Sequence, residues 1–264
     1  MMESMPTNRL AGSLLDRRWP HFAIELVLVV AGILIALAID GWSEDRVERR
    51  SEQTYLELLA RDLGQIESQL QQQIEFESNM ANTSVAAYDL INSNEPGELS
   101  SQIGKMLVAV SLRRTLFLNS AAYTDLISTG NLGLIRDRDL RDRITRYFSD
   151  AERRELIVEK NNRVYVDDMF LAFLFDHGVS YHPWKESPVG SSVSFESIDS
   201  AFSAAMRDPM DTVLSLPKDA PEWARVKQLL SWRAMVAMVD KDQAESVLAA
   251  TVELRKGLEA HLSK

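Results

Sequence analysis

Few side chains in this sequence are placed to do chemistry. His177 and His182, with Asp176 beside the first, offer nitrogen and oxygen donors to a metal ion, or an imidazole for hydrolysis. A zinc site needs three or four donors at convergent spacing, and two histidines five residues apart across Gly178 fit no such pattern. A histidine at a helix C-terminus is sufficiently explained by its attraction to the helix dipole. Asp167 and Asp168 are a carboxylate pair, and Asp137, Asp139 and Asp142 are a second acidic group. The second group alternates with Arg136, Arg138, Arg141, Arg143 and Arg146, which reads as a solvated helix face of mixed charge. Arg113 and Arg114 interrupt an apolar context and suit an anion or lipid head group, or more economically the domain's surplus carboxylates. Tyr165, Phe170, Phe173 and Phe175, followed by Tyr181 and Trp184, could line a ligand pocket, but aromatics at helical spacing are core by default. The sequence has no Gly-rich phosphate loop, no G-x-S-x-G and no H-E-x-x-H, and its lack of cysteine removes thiolate nucleophiles, disulfides and Cys-based zinc sites. The expectation is a protein that is not an enzyme, with no catalytic, cofactor-binding or metal-binding residue to assign.

The elements that would position these residues are helical. With 11 Gly and 8 Pro in 264 residues, turn formers are too sparse for a sandwich of many short strands. At 45% hydrophobic residues the chain can fill a sizeable core. Its net charge of −10 lies entirely beyond residue 21, because the first 21 residues carry more Arg than Glu and Asp. An acidic body of this kind excludes nucleic acid as a partner.

The strongest local signal covers residues 22–39, where FAIELVLVVAGILIALAI holds a single ionisable residue, Glu25. As a helix this run spans roughly 27 Å, close to a hydrocarbon core of about 30 Å, and Trp19 and Trp42 bracket it as interfacial anchors do. Glu25 lies near the first interface, where a carboxyl group is tolerated. The expected partner of residues 22–41 is therefore the lipid bilayer. A cleaved signal peptide is the rival reading, since Arg17 and Arg18 precede a run that ends in Ala36-Leu37-Ala38; a long amino-terminal region and the placement of Glu25 count against it. Arg17 and Arg18 are nearly matched by Arg46, Arg49 and Arg50 after the run, and the orientation favoured has the amino terminus inside the cell.

Past Trp42 there is no proline until Pro96, and the residues are strong helix formers. Leu56, Leu59, Leu63, Ile66 and Leu70 follow the three-and-four spacing of a heptad seam, which needs another helix against it; three heptads favour packing within the chain over a two-chain coiled coil. Gly32 and Ala36 form a small-xxx-small pair that would let two spans approach. A second helix through Val85 to Ile91 is expected to end in the turn formers of 92–97, and a third lies near Ser101 to Leu112. Ser120 can cap a short helix that Gly130 ends, and Asp137 can cap the next. That helix runs to about Phe175 with Ala151, Val158, Tyr165, Met169 and Phe173 as its stripe, and Gly178 stops it. Residues 177–198 are rich in Gly, Pro and Ser and read as an irregular loop. The last long helix opens at Asp219-Ala220-Pro221-Glu222, runs through Val226, Leu230, Ala237, Ala244, Val247, Leu254 and Leu258, and is expected antiparallel to the first. The organisation is thus an amino-terminal segment 1–21, a membrane helix 22–41 and a helical bundle 42–264: an all-α protein in which the membrane helix continues into an antiparallel bundle.

ELVLVVAGILIALAIDGW followed by YLELLARDL resembles the amino-terminal signature of an uncharacterised family of bacterial single-pass inner-membrane proteins. A second block agrees: Tyr123, Leu126, Thr129-Gly130-Asn131-Leu132, Ile135 and Leu140-Arg141 resemble that family's aromatic residue, leucine and Ser-Gly-Asn-Leu turn before a Leu-Arg helix. The resemblance implies a membrane anchor and a helical domain of unknown function, and it supplies no catalytic residues. The expected role is a membrane-anchored interaction or scaffold module that meets a protein partner or a second copy, with its helical domain periplasmic. The alternative is an extracytoplasmic sensing domain that takes a small molecule and signals through a partner; a hydrolase built on the 177–182 loop is a third.

Overall fold

A computed structural model describes residues 19–93, 100–179 and 213–263. Every regular element among them is a helix. Contacts divide the chain into two units, Met1–Thr54 and Tyr55–Lys264.

Helix α1 (Trp19–Ser93) is unbroken, so the helices expected on either side of residue 80 are one. Asn82, Thr83 and Ser84 are weak helix formers, but the Ser84 hydroxyl donates to the Met80 carbonyl at 2.7 Å and so stays within the helical hydrogen-bond pattern. In the first unit α1 exposes its apolar residues on every side: Phe22, Ile24, the run from Leu26 to Val30, Ile33, Leu34, Ile35, Leu37 and Ile39 are all exposed. It is the one helix among the described residues long and apolar enough to cross a membrane.

In the second unit the pattern reverses. Leu56, Leu59, Leu63, Ile66 and Leu70 are each at most 1% exposed, and they pack against Leu140, Ile144, Phe148, Ala151 and Val158 of α4 (Arg138–Asn161) and Ala244, Val247, Leu254 and Leu258 of α6 (Pro221–Leu262). The heptad seam is therefore filled from within the chain. Arg255 to Glu67 and Arg233 to Glu77 tie falling positions on α6 to rising ones on α1, so the two helices are antiparallel. Tyr147 to Thr251, Arg154 to Gln243 and Asn161 to Asp240 give α4 the same relation to α6.

Short elements close the bundle. Helix α2 (Ser100–Val110) packs Ile103 and Leu107 in a second apolar cluster with Ala87, Ile91, Phe170, Trp223 and Leu230. Segment 112–120, which has no regular secondary structure, leads into α3 (Ala121–Ser128), whose cap Ser120 accepts from the Tyr123 amide and donates to the buried Asp62 carboxylate at 2.8 Å. Gly130 is left-handed at φ 71°, as a helix stop requires. Asp137 accepts from the Leu140 amide and caps α4 as expected. At the start of α6 the cap position is Ala220, with Pro221 in the first turn, and no side chain caps it, so Asp219 does not serve there.

After α4 the helix widens over Asn162–Leu171 into i→i+5 turns before α5 (Ala172–Asp176). Wider turns displace every later side chain around the axis. The buried stripe consequently continues through Val166, Phe170 and Leu174, one residue later than the expected Tyr165, Met169 and Phe173, which are half-buried at the edge.

Candidate functional site

The three-and-four spacing of α1 does not end at Leu70. It passes through Gln73, Glu77, Met80, Ser84, Ala87 and Ile91, every one of them buried. On α6 the same spacing runs Trp223, Val226, Leu230, Arg233, Ala237, Asp240, Ala244, Val247, Thr251, Leu254 and Leu258, again all buried. In the middle of the bundle the seam thus changes from apolar to polar on both helices.

Arg233 organises this layer. Its Nε donates to the Val110 carbonyl at 2.9 Å and its Nη2 to the Leu112 carbonyl at 3.3 Å, which satisfies carbonyls left over at the C-terminus of α2 and favours the negative end of that helix. Its Nη1 reaches the Glu77 carboxylate at 3.5 Å, with both side chains at most 1% exposed. Gln73 donates to the other Glu77 oxygen at 2.8 Å. Across the layer Asn161 donates to Asp240 Oδ1 at 2.6 Å, and Asn162, the first residue of the widened helix, donates to the Arg114 carbonyl at 3.2 Å. Gln73 Oε1, Asn162 Oδ1 and Asp240 Oδ2 are buried oxygens that accept no hydrogen bond from the described residues.

Removing carboxylates from water disfavours their charged form. Burial pushes the Glu77 carboxyl up to about 7, with Arg233 and Gln73 opposing the rise and the Asp240 charge adding to it. Burial likewise raises Asp240 to about 6 against the pull of Asn161 and Arg233. Burial lowers the Arg233 guanidinium, and Glu77 counters that loss. These groups are closed off from solvent, so the layer can hold a proton but cannot admit a substrate.

The residues singled out in the sequence are scattered. His177 ends α5 with Nδ1 2.8 Å from the Phe173 carbonyl and its ring stacked on Phe173; His182, Tyr181, Trp184 and nearly all of the 177–198 loop lie outside the described residues. No group of three metal-ligating side chains occurs among the described residues. Arg113 pairs with Asp167 at 2.8 Å, and Arg114 donates to Gln72. Tyr165 stacks on Trp232, Phe170 is core and Phe175 is exposed, so the described aromatics lie in different environments. Between α4 and α6 runs a groove of about 230 Å³ along Arg143, Arg146, Arg154 and Ala250. Glu77, Arg233 and Asp240 carry no local mark of burial in the sequence; their one signal is the apolar spacing that resumes in phase beyond them.

An all-α bundle joined to one long apolar helix defines the class. The chain belongs to a family of unknown function (DUF6090), whose family model matches residues 25–169. Both blocks of the resemblance fall inside that range. No curated protein and no solved structure matches the chain.

Proposed function

We propose that this chain is a membrane-anchored helical interaction module without catalytic activity of its own, held in the bacterial inner membrane through residues 22–41 with its bundle on the periplasmic side. The observation that carries the reading is the apolar run of α1: none of the residues in its membrane-length window is buried by the chain itself. An all-round apolar helix needs an apolar solvent, whereas a helix that meets water on one side shows a stripe. A stripe on α6 supports the interaction role: Trp232, Met235, Met238 and Val239 are exposed on a helix whose other face is core. A protein partner is the expected occupant, with a second copy meeting through Gly32 and Ala36 as the competing one.

The test is a pair of carboxy-terminal fusions, alkaline phosphatase and a fluorescent protein, expressed separately in a bacterial host, with the mass of the membrane-fraction product measured. Active phosphatase on a full-length membrane product is expected. Fluorescence without phosphatase activity would place the bundle in the cytoplasm, and a soluble or shortened product would overturn the anchor.

A further inference from the structure

We propose that Glu77 and Asp240 hold one proton between them, and that its gain or loss tightens or loosens the packing of α1 and α4 on α6. The inference does not depend on the membrane reading. It starts from a shortage of donors. The layer contains two carboxyls and one guanidinium, so with both carboxyls ionised it buries an uncompensated negative charge. The hydrogen bonds of Arg233 go to Glu77, Val110 and Leu112, and none of them goes to Asp240. Asp240 Oδ1 takes the Asn161 amide, while Oδ2 accepts nothing from the described residues. Gln73 and Asn162 each contribute a further oxygen without a donor. A proton on Asp240 Oδ2 removes the surplus charge and turns an acceptor into a donor in a layer that has acceptors to spare.

Glu77 meets Gln73 from α1 and Arg233 from α6, and Asp240 meets Asn161 from α4; the Val110 and Leu112 carbonyls at the end of α2 join the layer through Arg233, and Asn162 of the widened helix holds the Arg114 carbonyl beside it. Among the described residues Arg233 is the one cation that bonds either carboxyl. The raised affinities of both carboxyls for a proton, from burial, agree with this balance. Because the two carboxyls sit on different helices, losing the proton places like charges across the seam between α1 and α6.

The experiment is infrared titration of the full-length protein in detergent micelles in heavy water, paired with amide hydrogen exchange. At a pH of about 6, above the ordinary carboxyl range of about 3.9–4.3, a protonated-carboxyl carbonyl band is expected, lost by a pH of about 8. Asp240→Asn and Glu77→Gln, each leaving one carboxyl against Arg233, are expected to remove most of that band. Amides of α6 flanking Arg233 and Asp240 are expected to open about tenfold more often at the higher pH, after correction for intrinsic exchange. The absence of the band in the folded wild-type protein at pH about 6, or opening that does not change with pH, overturns the proposal. That wild-type titration decides the matter even where a variant fails to fold.

Discussion

One helix, α1, carries two apolar patterns, and they meet opposite environments. Between Phe22 and Ile39 large apolar side chains are exposed on every side of the helix; from Leu56 to Ile91 a single, mostly apolar stripe forms and every member of it is buried. Composition alone would rank the first region as the better core. Periodicity decides otherwise: a protein interior of helices accepts one face, and only a uniform apolar medium accepts all of them. Within the stripe a second contrast appears, because Gln73, Glu77 and Ser84 occupy seam positions as fully as the leucines do.

The largest effect expected is at the polar end of that contrast. Arg233→Met should destabilise the bundle by about 3–5 kcal/mol at pH about 8, because Glu77 and Asp240 lose their cation and two carbonyls lose their donor. Urea unfolding in micelles measures it, and a change under about 1 kcal/mol would mean that the layer is structurally idle. Next comes the apolar part of the stripe. Leu63→Ala should cost about 2–5 kcal/mol through the cavity it leaves, while Leu34→Ala should leave the bundle's unfolding midpoint where it was. Equal effects at the two leucines would erase the contrast between the regions.

The smallest expected effect is the pH dependence of stability. Glu77 and Asp240 have folded-state affinities for protons raised above their unfolded values, so the folded protein binds the proton more tightly than the unfolded chain does. Their contribution is complete below a pH of about 4 and is lost as pH rises through about 6 and about 7. For the one proton the pair holds, stability measured by denaturant should therefore fall between pH about 5 and about 8 by roughly 2 kcal/mol at 1.36 kcal/mol per pK unit. A rise over the same window would show that both carboxyls are already ionised in the folded state.

Much of the fold was legible in residues whose signals are local. Ser120 and Asp137 cap helices by reaching three residues ahead, and Gly130 and Gly178 end them at positive φ. The stripe of α4 was legible as far as Val158, then drifted by one residue because nothing in the side-chain types announces i→i+5 turns. The polar layer was hidden for a different reason. A buried charge is recognisable only beside its partner, and Glu77 and Arg233 are 156 residues apart. Read alone, each is an ordinary charged residue on a long helix. Within the described residues His177 meets Phe173, through its carbonyl and its ring, and belongs to no group of three metal-ligating side chains.

The mixed seam also bears on how the two long helices find their alignment. A seam of leucine, valine and alanine is nearly self-similar every heptad, so sliding one helix past another by about 10 Å would still place apolar residues against apolar residues. Glu77 and Arg233 remove that degeneracy. A slip of seven residues carries Arg233 from the level of Glu77 to that of Leu70 in one direction or Ser84 in the other, neither of them a counterion, and it strips the α2 carbonyls of their donor. The layer that weakens the core thus acts as its alignment key, admitting one vernier setting of α1 on α6 among several that hydrophobic packing alone would tolerate.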